Sequence, residues 1–178
     1  MGILKDHEII QRVCQGEKDR MEELVQRYYD DIYRFCYYKT SDMSAALDCT
    51  QETFLNLVRH IAGYKEQRKF KSYLFAIARN VCNDYYRSRQ MEAGRELLDT
   101  EAGQEDKKIR QIEDADTIQK ALNQLPQIQK DVIILHFYYD FKLREIAAVT
   151  GVGLATAKSR LKQGMDKLRK ILREEEVL

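Results

Sequence analysis

Residues 142–173 restrict the fold most, because they contain two helical patterns separated by a glycine. In the first pattern, Leu143 and Ile146 fall on one face at helical spacing. Gly151 follows, and a residue without Cβ readily takes the left-handed conformation that reverses a chain sharply. The second helix is predicted to begin near Leu154 and to turn an apolar stripe inward. That stripe consists of Ala157, Leu161, Met165 and Leu168.

The second helix of this pair is strongly basic. Between residues 156 and 173 there are seven Lys or Arg side chains and a single acid, Asp166, although the whole chain has a net charge of only +1. A solvated amphipathic helix is the simplest interpretation of such charge. The tight turn at Gly151 favours instead a helix-turn-helix, whose second helix enters the major groove of DNA.

Composition is typical of a soluble globular protein. The 178 residues suffice for one ordinary domain or two small ones, and 44% of them are hydrophobic and 33% charged. No apolar run is long enough to cross a membrane, and the N-terminus has no signal-peptide core. We therefore expect a cytoplasmic protein without direct membrane insertion.

The cysteines and histidines do not indicate a metal or catalytic site. The four cysteines, Cys14, Cys36, Cys49 and Cys82, are widely spaced and form no Cys-x-x-Cys pair. They fall among helical apolar positions, which predicts buried free thiols rather than disulfides or zinc ligands. We predict no metal, no cofactor and no enzymatic activity.

Helical periodicity continues through most of the chain. We predict further helices at residues 4–15, 19–39, 43–61, 72–88, 116–125 and 127–138, with Asp19 as one N-cap and residues 40–42 capping the third helix. In that third helix Leu47 is expected to face inward, beside a polar stripe. No segment alternates with period two over the length of a strand, so the fold is predicted to be all-α.

An acidic segment divides the chain. Residues 92–106 contain six acids and one Arg, with few large apolar side chains. Such a composition is typical of a flexible linker. The predicted organisation is therefore two small helical domains, 1–90 and 115–178, joined by a flexible acidic linker at 91–114.

A second basic region lies in the first domain. Residues 65–89 carry seven Lys or Arg and two acids, with Tyr64 and Phe70 in a polar loop. Aromatic rings among cations suit single-stranded nucleic acid, because each base stacked on a ring contributes roughly 1–3 kcal/mol. Tyr73 and Phe75 fit a core position equally well. The helix that follows is predicted to expose Arg79, Asn80, Asn83 and Arg87.

Three motifs resemble those of one family. The sequence DCTQETF at 48–54 resembles the Asp-x-x-Gln-Glu-Thr-Phe motif of bacterial sigma factors, and YLFAIARN at 73–80 resembles their Trp-Leu-Phe-x-Ile-Ala-Arg-Asn motif. Leu125-Pro126 and AKSRL at 157–161 are similar to the C-terminal part of the same proteins. By its length and its order of motifs, the chain resembles the small extracytoplasmic-function group of the sigma-70 family. Gln163 and Gly164 depart from the Arg and Ala more usual there.

The resemblance implies three binding surfaces. Polymerase-binding residues would be Asp48, Gln51, Glu52 and Asn56. Residues that melt the minus-10 element and hold a flipped base would be Tyr64, Lys65, Phe70, Lys71, Arg79, Asn80, Asn83 and Arg87. Residues that read the minus-35 element would be Thr156, Lys158, Ser159, Arg160, Lys162 and Gln163.

The function implied is that of a transcription initiation factor. Its partners would be core RNA polymerase, promoter DNA as duplex and as melted single strand, and an anti-sigma factor that is often anchored in the membrane; no small-molecule substrate is expected. One alternative is a stand-alone helix-turn-helix regulator that finds an operator without polymerase. Another is a toxin–antitoxin or anti-sigma type interaction protein whose basic helix is incidental.

Overall fold

The computed structural model describes residues 4–65, 69–96 and 113–176, and these ranges contain eight α-helices. Short 3-10 turns at Lys18–Arg20 and Ile61–Gly63 complete the regular structure there. The helices are α1 Asp6–Cys14, α2 Met21–Thr40, α3 Met43–His60, α4 Phe70–Glu96, α5 Glu113–Asn123, α6 Gln127–Phe137, α7 Leu143–Thr150 and α8 Leu154–Glu176. The all-α prediction is confirmed. None of the described helices is both long and apolar enough to cross a bilayer.

Local signals in the sequence set several helix ends. The Asp42 carboxylate accepts a hydrogen bond from the Ala45 N–H at 2.7 Å and caps α3, as predicted. The prediction of Asp19 as the cap of α2 is wrong, because Asp19 lies in a 3-10 turn and α2 begins after Arg20. Ser41 ends α2 in the left-handed conformation with φ 57°.

Helix α4 is longer than its apolar periodicity predicts. It begins at Phe70 and runs for 27 residues to Glu96, whereas the predicted helix covered residues 72–88. Residues 87–94 are exposed and mostly polar, so their helicity leaves no apolar stripe in the sequence. Six residues of the predicted linker, 91–96, are therefore helical, and its residues 97–112 lie outside the described part of the chain.

The N-terminal half, residues 4–96, is built on α2, α3 and α4. Phe35, Leu57 and Leu74 bring one fully buried side chain from each of these helices into a common core. Two residues depart from their predicted environments. Leu47, expected to face inward, is 42% exposed and lies on the outer side of α3. Phe70, expected in a polar loop, is buried as the first residue of α4.

The C-terminal half, residues 113–176, is organised around α6. Residues 130–135 of α6 are buried on every side, between α8 and α7 and against α2. Helix α5 packs on α8 through Ala121 and Leu122. The apolar periodicity of residues 116–125 and 127–138 predicts that Ile118 and Ile128 face inward, but they are 40% and 45% exposed. Each lies about a turn before the buried part of its helix, where no described element covers it.

The two halves share one apolar core. The ring of Phe75 in α4 contacts Phe35 of α2 at 5.4 Å between centroids, and also Tyr139 at 4.7 Å and Phe141 at 5.2 Å from the C-terminal half. Helix α7 packs along α4. The linker prediction gave no indication of this direct packing.

Candidate polymerase and nucleic-acid interfaces

The outer face of α3 presents a continuous exposed surface. Asp48 and Gln51 are exposed, while Glu52 and Asn56 are partly covered by Arg59, whose guanidinium donates to both at 3.2 Å. At 100° per residue these positions lie on one side of the helix. The opposite side, including Thr50 and Thr53, is buried.

Exposed apolar side chains lie among these polar ones. Leu47, Leu55 and Val58 are 42%, 50% and 54% exposed. An exposed cluster of large apolar residues is a frequent mark of a protein-binding surface. The sequence analysis missed it because Leu47 was assigned to the core. The i, i+4, i+8 spacing of Leu47, Gln51 and Leu55 places all three on one face of the helix, and this spacing could have identified the exposed apolar cluster.

The start of α4 carries the aromatic residues of the second predicted surface. Phe70 packs edge-on against Tyr28 and Tyr64, with ring centroids 5.6 and 5.9 Å apart, and Tyr64 lies 4.8 Å from Tyr73. Phe70 is therefore a core residue in this structure rather than an exposed stacking platform. Tyr64 is half-buried and Lys65 exposed.

An open cavity of about 360 Å³ lies beside this aromatic cluster. That volume is within the usual range for small-ligand pockets. Its wall is polar and basic as well as aromatic. The lining residues are Lys5, Asp6, His7, Ile10, Tyr28, Tyr64, Lys69, Phe70 and Lys71.

The remaining predicted minus-10 residues lie on α4 but differ in their exposure to solvent. Asn80 and Arg87 are exposed, and Asn83 is half-buried. Lys71 and Arg79 instead point at the C-terminal half. The prediction that Arg79 is exposed is wrong, because its side chain is only 15% exposed and its Nε donates to Asp131 Oδ2 at 2.7 Å.

Helices α7 and α8 form the predicted helix-turn-helix. Gly151 ends α7 in the left-handed conformation with φ 68°, as its position indicated. At the other end of α7, the Glu145 carboxylate accepts from the Lys142 N–H at 2.8 Å. Burial raises the pKa of Glu145, but this hydrogen bond and the nearby Lys69 outweigh it and leave that pKa lowered.

The outer face of α8 is free of packing in this structure. Thr156, Lys158, Ser159, Lys162 and Gln163 are exposed, and Arg160 is half-buried at the side. Ala157 is fully buried, and Leu161, Met165 and Leu168 are half-buried on the inner face. The cations therefore project away from the core, where a duplex can reach them.

A buried ionic network joins the two halves. Lys39 at the end of α2 pairs with Asp131 of α6, and both side chains are at most 1% exposed. The Lys39 ammonium also donates to Gln127 Oε1 at 2.8 Å. Arg79 completes the network on the other carboxylate oxygen of Asp131. Sequence analysis missed it, since Lys39 and Asp131 are far apart in the sequence and no local pattern pairs them.

Lys130 lies beside this network. Its ammonium donates to Asn123 Oδ1 at 2.7 Å and to the Lys39 carbonyl at 3.2 Å. Burial, together with the charge of Lys39, lowers the pKa of Lys130 to about 8, although Asp131 opposes the shift. The junction thus holds three cations against one carboxylate, so its charge balance depends on Asp131.

Two family matches decide the identity. Residues 24–92 match Sigma-70 region 2, and residues 115–168 match Sigma-70, region 4. Together they span most of the chain and coincide with α2–α4 and α5–α8. The chain belongs to the sigma-70 family.

Relatives place it among the extracytoplasmic-function (ECF) sigma factors. It is 29% identical over 181 residues to the ECF RNA polymerase sigma factor SigW of Bacillus subtilis (strain 168), covering 93% of this chain and 95% of SigW. The sigma factor RpoE, solved with the anti-sigma factor NepR from Bartonella quintana, is similar with a TM-score of 0.71 and 25% identity over 85% of this chain and 96% of that one. CnrH, solved with the cytosolic domain of CnrY, shares the fold, with a TM-score of 0.73 and 20% identity over 95% and 97% of the two chains.

Gly164 of this sigma factor has a packing role that its sequence did not suggest. A Cβ at Gly164 would lie 2.8 Å from Ile133 Cδ1 and 3.3 Å from Gln129 Cβ. The glycine therefore lets α8 approach α6 closely. The sequence analysis identified Gly164 only as a departure from the alanine more usual in the family.

We expect Gly164→Ala to lower the free energy of unfolding by about 1 kcal/mol. Overpacking destabilises the fold by about 1–3 kcal/mol, and the higher helix propensity of alanine offsets about 1 kcal/mol of this. In an Ile133→Val background, which lacks Cδ1, the same change should be neutral or stabilising. Chemical denaturation of the double-mutant cycle measures this coupling. Gly94→Ala is the matched control, since nothing lies within 4 Å of its Cβ, and it should stabilise. Additive effects in the cycle would contradict the close approach of the two helices.

The sigma factor also gathers three thiols in region 2. Cys36, Cys49 and Cys82 are buried between α2, α3 and α4, whereas Cys14 is exposed, contrary to expectation. Hydrogen bonds with Cys36 and Cys49, together with burial, raise the pKa of Cys82 well above its usual value. Within the described residues, no group of three His, Cys, Asp or Glu side chains is arranged to hold a metal.

Proposed function

We propose that this sigma factor binds core RNA polymerase through α3 and directs it to promoters by reading the minus-10 element with α4 and the minus-35 element with α8. The observation that carries the proposal is the occurrence of regions 2 and 4 in order on one chain, each with an exposed face at the position that the family motifs indicate. The phosphodiester chemistry belongs to the polymerase, and the sigma factor needs neither a catalytic group nor a cofactor.

The α3 face suits a stable protein interface. Interface energy is concentrated in a few apolar or aromatic anchors surrounded by polar groups. Leu47, Leu55 and Val58 supply the anchors, and Asp48 and Gln51 supply the polar groups that fix the register. Because α3 is held from behind by α2 and α4, this face is already ordered before binding.

The region around the start of α4 suits a melted strand. Flipping a base out of the stack costs a few kcal/mol, which interactions inside a pocket must offset. The cavity beside Tyr64 offers aromatic and basic walls. Asn80 is exposed on the same helix, and its amide can donate to and accept from a base edge at once. Lys65 and Arg87 can follow the phosphate backbone.

Helix α8 suits duplex DNA. Lys158 and Lys162 are one turn apart and exposed, so both can enter the major groove, whereas Arg160 at the side can reach a phosphate. Thr156 and Ser159 add short polar side chains, and Gln163 adds a longer amide side chain. Two weak readers held on one polymerase act as a bivalent reader whose joint affinity exceeds that of either alone.

The proposal extends to where the protein works and what restrains it. We place it in the cytoplasm, where transcription takes place. The RpoE and CnrH neighbours were solved with NepR and the cytosolic domain of CnrY. By analogy, an anti-sigma factor that covers the polymerase-binding surface is expected here, and a membrane-anchored one would hold this chain at the membrane.

Co-purification with core RNA polymerase tests the proposal, and a double alanine variant tests the surface. Asp48→Ala with Gln51→Ala should weaken core binding roughly tenfold, since truncating an interface side chain outside the hot spots costs about 1 kcal/mol or less. Affinity is measured by titrating labelled sigma factor with core enzyme. Glu22→Ala with Gln26→Ala is the matched control, because it removes an acid and an amide that bond to each other on α2.

Two outcomes would contradict this function. Equal core affinity for the two double variants would remove α3 from the interface. If the wild type instead failed to bind core enzyme but footprinted duplex DNA alone, the stand-alone regulator would be the better description.

A further inference from the structure

We propose that the open cavity beside Tyr64 binds one unstacked nucleotide whose base carries an exocyclic amino group, with Asp6 of α1 as the hydrogen-bond acceptor that selects it. The inference deepens the proposed function, because it adds a second base site to the surface that reads the minus-10 element. It rests on the proposed function only for the source of the nucleotide, which is the melted strand. The chemistry of the site follows from the wall of the cavity itself.

Separate segments of the chain form this wall. The first turn of α1 contributes Asp6, α2 contributes Tyr28, and the start of α4 contributes Phe70, with Tyr64 in the loop before it. Ile10 also lines the cavity and is only 6% exposed, so packing against the core holds α1 in place. The volume of about 360 Å³ suits one small ligand such as a nucleotide.

The Asp6 carboxylate is fixed in this wall by two donors from α2. The Tyr28 hydroxyl donates to one carboxylate oxygen and the Arg27 guanidinium donates to the other. Arg27 also donates to the Leu4 carbonyl at 2.8 Å, which fixes the chain just before α1. The Asp6 side chain nevertheless remains 24% exposed. Because each carboxylate oxygen has two lone pairs, each can accept a further hydrogen bond from a ligand.

The donors around Asp6 determine which bases it can accept. Burial, together with the hydrogen bond to Asp6, raises the pKa of Tyr28 above its usual value, so this hydroxyl keeps its proton at neutral pH. The Arg27 guanidinium is a donor only. Asp6 therefore acts as an acceptor toward the cavity. Cytosine, adenine and guanine offer it an exocyclic amino group, whereas thymine has a carbonyl oxygen at the position of the cytosine amine.

The other walls suit the ring and the phosphate of a nucleotide. Tyr64 is half-buried and lines the cavity, where a base can stack on its ring. Lys5 and Lys69 are exposed, and each directly precedes a helix that borders the cavity, so both can approach a phosphate. Lys69 pairs with Glu145 at 3.0 Å, but its side chain is 76% exposed. A phosphate can replace such a weak partner.

The cavity is separate from the position at which Asn80 is expected to contact a base. Asn80 lies ten residues beyond Phe70 on α4, which is about 15 Å at 1.5 Å per residue. That separation exceeds the width of a base, so the two positions take different nucleotides of one strand. Helix α1 consequently takes part in promoter selection alongside α4.

Templates that lack single amino groups test the site in the holoenzyme. The template is a promoter selected by the holoenzyme from a random-sequence pool, with its minus-10 region pre-melted. Each non-template base is replaced in turn by its analogue without the amino group: 2-pyrimidinone for cytosine, purine for adenine and hypoxanthine for guanine. At one position the analogue should weaken binding roughly tenfold, because it removes a hydrogen bond to a charged group. With Asp6→Ala, the parent template should bind roughly tenfold more weakly, and this analogue should make no further difference.

Arg27→Gln and Asp30→Ala are the matched controls. Arg27→Gln breaks the ion pair with Asp6 but keeps the carboxylate, so the ratio of affinities for parent and analogue templates should persist. Asp30→Ala removes an exposed acid of α2 and should change neither affinity nor ratio. If Asp6→Ala fails to fold, Asp6→Asn replaces it, because the amide keeps the shape and has only one acceptor oxygen. A ratio that survives the Asp6 substitution, or is lost equally in Arg27→Gln, would overturn the proposal.

A second measurement separates the melted strand from a free nucleotide as the occupant. Equilibrium dialysis of the full-length sigma factor with labelled dCMP, dAMP, dGMP and dTMP measures binding of the free nucleotides. Asp6-dependent binding of the first three, without any effect in the templates, would overturn the strand as the source but keep the chemistry of the cavity. No dependence on amino groups in either measurement would overturn the site. Failure of the sigma factor to bind core enzyme would count against the proposed function instead, and dialysis would still test the cavity.

Discussion

Phe75→Ala is expected to lower the free energy of unfolding by about 3–5 kcal/mol, the range for removing a fully buried phenyl ring. Phe75 is 0% exposed and packs against Phe35 on one side and Tyr139 and Phe141 on the other. Removing the ring would leave a cavity between the two halves, which neither half can close without shifting α4. Urea denaturation followed by circular dichroism measures the change.

Phe137→Ala is the matched control for this prediction. It deletes the same ring from a side chain that is 53% exposed at the end of α6. Its effect should remain within about 1 kcal/mol, as for most surface substitutions. A destabilisation at Phe75 no larger than that at Phe137 would show that the halves do not share this core in solution.

The second large effect is expected on α8, the helix proposed to read the minus-35 element. There Lys162→Ala should reduce the binding free energy for the preferred minus-35 sequence by about 1–3 kcal/mol, and it should weaken the discrimination between bases at one or two positions. Arg160→Ala should instead weaken binding nearly uniformly and reduce the salt slope by roughly 0.9 for each phosphate that is no longer neutralised. The two variants are expected to differ because Arg160 and Lys162 are two residues apart, and a step of two residues rotates the side-chain direction by about 200° around the helix axis. Lys162 is exposed and Arg160 half-buried, which accords with different directions.

Holoenzyme binding to a panel of minus-35 variants at several salt concentrations measures both quantities. Lys170→Ala is the control, since Lys170 is an exposed cation of α8 beyond the residues predicted to touch DNA. The assigned helical phase would be wrong if Arg160→Ala changed base preference while Lys162→Ala changed only the salt slope. Equal behaviour of all three variants would show that α8 does not read DNA.

Local chemistry explains what the sequence could predict. The cap at Asp42 and the left-handed Gly151 depend on residues within one turn of each other, and both are confirmed. The all-helical fold and the family followed from periodicity and from three ordered motifs. Helix ends were less predictable where the final turns are solvent-exposed, as in α4. In such turns most side chains are polar, so the sequence shows no apolar periodicity from which to predict the helix.

Burial on a particular face depends on neighbours that periodicity does not identify. Leu47 and Phe54 both belong to the apolar pattern of α3, but only Phe54 faces a packed helix. Phe70 lies in a polar stretch of sequence and is buried because α4 begins there and Tyr28 and Tyr64 cover it. Such assignments require knowledge of which helices meet.

The junction between the halves was the least predictable feature. Lys39 and Asp131 are 92 positions apart, and periodicity gives no reason to bury either charge. Nothing local distinguishes such a residue from one that points into solvent. Arg79 was predicted to be exposed on α4, but its side chain is only 15% exposed because its partner, Asp131, belongs to another part of the chain.

The three buried thiols allow the folding dynamics of this protein to be followed by alkylation. A reagent meets Cys14 directly, but it reaches Cys36, Cys49 and Cys82 only when α2, α3 and α4 separate. The modification rate at Cys82 relative to Cys14 then reports how often region 2 unfolds locally. A partner bound on α3 is expected to suppress this local unfolding and so to slow alkylation of the buried cysteines. Mass spectrometry of the alkylated protein would then measure the fraction of molecules with a bound partner, without attaching a fluorescent label.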